Sequence, residues 1–111
     1  MPDVYDVCII GGGPSGHSAS LYTSRSMLKT ILFEGTDNPG GQLTKTTEIE
    51  NYLGFPEGID GYELCDNFRN QSEKWGTYIV SEYVEKIKYE EKEKMFNTTR
   101  ISIRGNKKRI A

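Results

Sequence analysis

The hydrophobic positions fall into short runs whose spacing changes along the chain. Val4 to Ile10 is almost continuously apolar, the pattern of a strand covered on both faces of a parallel sheet. Gly11-Gly12-Gly13-Pro14-Ser15-Gly16 follows at once and turns that strand into a helix. Pro14 stands where the helix begins, a place that tolerates a missing N–H. The helix carries Ala19, Leu21, Tyr22 and Met27, with small residues on the side that must approach the sheet. Lys29-Thr30-Ile31-Leu32-Phe33-Glu34 then reads as a second strand, which completes a βαβ unit of about thirty residues.

Between Gly35 and Gly61 no period is convincing, and Gly, Thr, Asn and Pro dominate. A loop of that length inside a compact domain is functional or disordered as a rule. Leu43, Ile49, Tyr52, Leu53, Phe55 and Ile59 argue against disorder. Helical spacing returns from Tyr62 to about Trp75, capped by Asp60 or Gly61 and stopped by Gly76. Leu64, Cys65, Phe68, Ser72 and Trp75 make its packing face. Thr77 to Tyr89 alternates well enough for a strand and its continuation, and Glu90 to Lys94 reads as a solvated turn. Met95–Ile103 returns as a strand, and Gly105-Asn106 turns into Lys107 to Ala111. The expected class is α/β: a parallel βαβ core of the three-layer Rossmann-like kind, incomplete, with an antiparallel β-meander appended.

The glycine run carries the first chemical signal. Glycines at its first, third and sixth places form G-x-G-x-x-G, here with a strand before and a helix after. Gly11 permits the tight turn, Gly13 lets a pyrophosphate approach the backbone, and Gly16 lets the helix pack on the strand. The helix N-terminus then faces the phosphates with its free N–H groups. Glu34 ends the second strand a little over twenty residues on, where a dinucleotide-binding unit places an acid for an adenosine ribose. An acid there disfavours a 2′-phosphate, leaving FAD or NAD; the plainer reading is a solvated glutamate at a strand end. Gly40-Gly41 would let a flat ligand lie against backbone, and Gln42 and Asn51 offer amides to its edge.

Bulk properties narrow the picture a little. With 111 residues the chain makes one domain at most. A charged fraction of 27% and a net charge of -2 ask for neither nucleic acid nor membrane as partner. No targeting peptide or spanning segment is legible, which favours a cytoplasmic location. Cys8 and Cys65 lie far apart on apolar faces and are expected buried and reduced; no C-x-x-C and no metal-ligand cluster is present. His17 reads as a helix-surface or packing residue rather than a base.

The run Gly40-Gly41-Gln42-Leu43-Thr44-Lys45-Thr46-Thr47-Glu48-Ile49-Glu50-Asn51, then Gly54-Phe55-Pro56, together with Leu32-Phe33-Glu34-Gly35, closely resembles the low-molecular-weight thioredoxin reductases. The likeness runs from about Val7 to Val84 and is looser from Met95 onward. Lys45 interrupts the threonine run, and Leu53 stands where proline is usual. The resemblance implies an FAD- and NADPH-dependent homodimer that passes electrons through a dithiol to thioredoxin. It implies that Gly11, Gly12, Gly13, Pro14, Ser15 and Gly16 hold the FAD pyrophosphate and Glu34 the adenosine ribose. Gly35 would adjoin the adenosine, and Gly41, Gln42 and Leu43 the ribityl chain and flavin. Asn51 would lie near the isoalloxazine, and the backbone of Val84 would meet the adenine.

By the same resemblance, residues 1–111 are part of an FAD-binding domain. The NADPH domain with its redox C-x-x-C and the C-terminal FAD segment are not among them. The chain alone is then expected to be inactive as a reductase and to retain FAD weakly or not at all. The rival expectations are a non-catalytic nucleotide-binding fragment that pairs with a full-length subunit, and part of a related flavoenzyme.

Overall fold

The computed structural model describes residues 4–35, 48–93 and 98–105, with side chains as far as Lys88. Three parallel strands form the central sheet: β1 (Val7–Ile10), β2 (Thr30–Phe33) and β5 (Tyr78–Val80), in the order β1-β2-β5. Helix α1 (Pro14–Arg25) joins β1 to β2 and supplies the expected βαβ unit. A two-residue hairpin, β3 (Glu48–Ile49) with β4 (Ile59–Asp60), leads into α2 (Gly61–Lys74). Beyond β5, strands β6 (Val84–Glu93) and β7 (Thr98–Gly105) pair antiparallel.

Strand β2 is the buried centre. Ile31 aligns with Cys8 and Tyr78, and Phe33 with Ile10 and Val80. All four residues of β2 are buried, because a strand paired on both sides and covered on both faces has no solvent side. Ile31, Phe33 and Val80 cluster on one face under Tyr5 and Val84. Thr30 and Leu32 alternate to the other face, where the Thr30 hydroxyl lies 2.8 Å from that of Thr23 on α1. Burying Ile31, Leu32 and Phe33 contributes about 1.5–3 kcal/mol each.

Strand β1 departs from the expectation of a fully covered strand over Val4 to Ile10. It is shorter and, among the described strands, lies at the sheet edge, with half-buried and exposed residues alternating. Cys8 is therefore exposed, contrary to the buried position read from its apolar neighbours; Cys65 is buried as expected. Met27 also falls differently: α1 ends at Arg25, and Met27 lies beyond it at φ 65°, 92% exposed.

Asp60 caps α2, its carboxylate accepting from the N–H groups of Tyr62 and Glu63 at 3.1 Å each. Gly76 ends it at φ 105°, a left-handed conformation suited to glycine. Leu64 packs with Ile49 and Ile59 in a second cluster, bordered by Tyr52, Phe55 and Phe68. Trp75, read as part of the packing face, is instead 46% exposed and carries the Arg25 guanidinium 5.2 Å above its ring.

The contact between α1 and α2 is polar. His17 Nδ1 lies 2.9 Å from Ser72 Oγ, and the Ser24 hydroxyl lies 2.7 Å from that of Thr77. Small hydroxyl side chains let the two helices approach and pair most of the buried polar atoms, although His17 Nε2 finds no partner among the described residues.

Glu90 to Glu93, expected in a turn, continue β6 instead; the returning strand is described from Thr98, and Lys94 and Met95 lie outside the described residues. Charged residues alternating on a two-stranded ribbon are compatible with strand, because both faces can meet water. Lys107 to Ala111 lie outside the described residues.

Candidate functional site

The β1–α1 turn is built by close backbone approach. Gly11 stands at φ 120°, and its N–H donates to the Phe33 carbonyl at 2.8 Å, tying the turn to the end of β2. A Cβ on Gly16 would lie 2.0 Å from the Gly11 carbonyl oxygen, so only glycine lets the first turn of α1 sit on the loop before it. Gly13 is the extended residue before the helix and Pro14 opens it. No side chain caps this N-terminus and no acid stands in its first turn, which leaves its positive end open to an anion.

Glu34 lies directly against this turn. A Cβ on Gly12 would come 2.4 Å from the Glu34 Cβ and 3.1 Å from its Cα. The Glu34 backbone N–H donates to Val80 at 3.0 Å, and that of Gly35 to Glu82 at 3.1 Å, so the end of β2 is fixed to the segment beyond β5. Gly35 turns at φ 79° with the Tyr83 ring where a Cβ would stand. The Glu34 side chain is 1% exposed. Its Oε1 meets Arg69 Nη2 at 3.1 Å and accepts from the Ser81 hydroxyl at 3.3 Å. Among the described residues, its Oε2 is enclosed without a hydrogen-bond partner.

A buried carboxylate with one oxygen unsatisfied is costly. Burial pushes the Glu34 carboxyl above its ordinary range; Arg69 and the Ser81 hydroxyl oppose this, and Glu73 adds to it. His17 titrates below its ordinary value because it is buried and because Arg69 repels its proton. Partial desolvation on β1 raises the Cys8 thiol even though its side chain is exposed; burial raises Cys65, and Asp66, Asp60 and Glu34 raise it further, so neither cysteine is an activated thiolate.

The structure thus gathers Gly11 to Gly16, Glu34 and Gly35 into one locus. Val84 opens β6 half-buried, packed on the cluster that contains Phe33. Asn51 is exposed between β3 and β4, beside a shallow depression shared with Tyr52 and Phe55. Gly40, Gly41, Gln42, Leu43 and Lys45 lie outside the described residues. Sequence reasoning missed Arg69, Ser81 and the need for glycine at position 12. Arg69 had a legible signal: it stands four residues after Cys65, a charge within the packing stripe of α2.

The glycine turn with the acid pressed against it has the arrangement of a dinucleotide-binding βαβ unit. The chain belongs to the pyridine nucleotide-disulphide oxidoreductase family, whose profile matches residues 5–111. It is 52% identical over 90 residues to thioredoxin reductase 1, mitochondrial, of Arabidopsis thaliana, covering 78% of this chain and 24% of that protein. It is 48% identical over 110 residues to the thioredoxin reductase of Pneumocystis carinii, covering 87% and 34%. The solved structure of Lactococcus lactis thioredoxin reductase superposes with a TM-score of 0.77 at 37% identity, over 96% of this chain and 32% of that one. The chain therefore spans about a quarter to a third of the length of these relatives. Among the described residues, no helix is long and apolar enough to cross a membrane.

Proposed function

We propose that residues 1–111 form part of the FAD-binding domain of a thioredoxin-disulfide reductase. The observation that carries this reading is the Gly12–Glu34 contact: a buried acid with one unpartnered oxygen is pressed against a turn whose helix end is open to an anion. A dinucleotide fits both halves. Gly11, Gly12, Gly13, Pro14, Ser15 and Gly16 would hold the pyrophosphate, and Glu34 would accept a ribose hydroxyl at Oε2. Gly35 and the Val84 backbone would border the adenosine, and Gly41, Gln42, Leu43 and Asn51 the flavin side. When bound, FAD would supply hydride and electron transfer between NADPH and a dithiol. The residues of this chain would bind and orient it.

Thioredoxin belongs to this proposal through the relatives' names, a second reductase subunit through the family, and a cytoplasmic setting through the sequence alone, one of these relatives being named mitochondrial. Reductase turnover also needs a reactive dithiol. The two cysteines of these residues, one exposed on β1 and one buried on α2 with a raised thiol pKa, do not supply it. The isolated 111-residue chain should therefore show no turnover with NADPH and thioredoxin.

Equilibrium dialysis of the chain against FAD and against FMN tests the binding reading. FAD should bind weakly but saturably, and FMN, which lacks the adenosine and the second phosphate, should bind far less. Equal uptake of both, or of neither, would overturn it.

A further inference from the structure

Arg69 projects from α2 to the acid at the end of β2. A guanidinium beside a carboxylate closes most favourably as a two-bond fork, Nε and Nη together on both oxygens. Here a single contact is made, Nη2 to Oε1 at 3.1 Å. Arg69 Nε and Glu34 Oε2 are both buried and both lack hydrogen-bond partners. A pair serving the fold alone would gain by closing that fork, since each unsatisfied buried polar atom costs about 1–3 kcal/mol. The second oxygen is held back beside Gly12 instead.

We propose that Arg69 is a positioning residue of the nucleotide site: its contact with Oε1 holds the Glu34 side chain turned so that Oε2, left without a partner among the described residues, is kept for a ribose hydroxyl. The inference rests on the dinucleotide reading of the glycine turn and adds a residue to it. Among the described residues, the charged and titratable groups around Glu34 are Arg69, Glu73 and Cys65 on α2, and Glu82 and Tyr83 beyond β5. Burial and Glu73 favour the protonated acid, and Arg69 is the cation that opposes them. A protonated Glu34 would offer the ribose a poorer acceptor. Arg69 itself is 37% exposed in its side chain, so replacing it leaves no large cavity.

The test uses the whole 111-residue chain, with R69Q, R69K, E34Q and the R69Q/E34Q double variant. The Glu34 carboxyl carbon is followed by NMR through a pH titration without ligand, and FAD affinity is measured from about pH 6 to about pH 9. R69Q should move the Glu34 titration upward, and R69K should largely restore it. At neutral pH, R69Q should weaken FAD about tenfold, with affinity recovering as pH rises, while the wild type stays flat. In the E34Q background, R69Q should add nothing further. Unchanged Glu34 titration in R69Q would overturn the inference, as would an FAD profile matching the wild type. If the wild type takes up no FAD but R69Q still shifts Glu34, the nucleotide reading fails while the hold of Arg69 on the carboxylate stands.

Discussion

Gly12 and Glu34 stand back to back, the place of a missing Cβ on one lying 2.4 Å from the Cβ of the other. The contact joins the first turn of the chain to the end of its second strand with no room between them. Replacing Gly12 by alanine must push the Glu34 backbone away, because its Cα is also within 3.1 Å. G12A should lower stability by about 1–3 kcal/mol, read as a drop in the urea midpoint, and should displace the Glu34 amide signal.

G16A should be worse. The added methyl would meet the Gly11 carbonyl oxygen at 2.0 Å, and backbone cannot give way as a side chain tip can. A loss of upwards of about 3 kcal/mol is expected by denaturant unfolding. Gly54 offers a control: its φ of 106° disfavours alanine but nothing lies within 4 Å. G54A should cost roughly 1 kcal/mol from backbone strain alone.

The plan of the βαβ unit was legible because its two signals are local. A continuous apolar run, a glycine turn and a second apolar run need no distant partner to be recognised, and Glu34 is placed by counting. The edge position of β1 was not legible, since Val7, Cys8, Ile9 and Ile10 look alike in sequence whether one face or both are covered. The polar helix contact through His17, Ser20, Ser24, Ser72 and Thr77 was hidden for the opposite reason. Serine and threonine at helical spacing read as a solvated or merely small face until α2 and the Thr77 that follows it supply their partners. Arg69 meets Glu34 across 35 residues of chain, a pairing that only the packing of α2 creates.

His17 makes stability depend on pH. Its folded-state pKa is lowered, first by burial and then by Arg69, so the unfolded chain binds the proton more tightly. The stabilisation is complete above the ordinary value of about 6.5 and is lost as pH falls from there toward the folded value. Urea midpoints measured through this range should fall with pH in the wild type. In H17Q the slope over that window should flatten, and an unchanged slope would place the titration elsewhere.

Glu34 is expensive for the fold to bury, and the proposed nucleotide site is what would use it. Its raised pKa means that the charged form is disfavoured on folding, so its contribution weakens as pH rises above the ordinary carboxylate range. E34Q removes that charge and should leave the urea midpoint at neutral pH no lower than the wild type. Its FAD affinity should nonetheless fall about tenfold or more, through loss of a charged acceptor. Stability kept and binding lost would mark the residue as retained for function.

The account rests on a dinucleotide meeting the glycine turn and Glu34 together, and amide NMR of the 111-residue chain titrated with FAD tests this most directly. The predicted result is saturable shifts at Gly11, Gly12, Gly13, Ser15, Gly16, Glu34, Gly35 and Val84, absent at the same FAD concentrations in E34Q. Saturable shifts that leave the glycine turn untouched, or no shifts at any concentration, would contradict it.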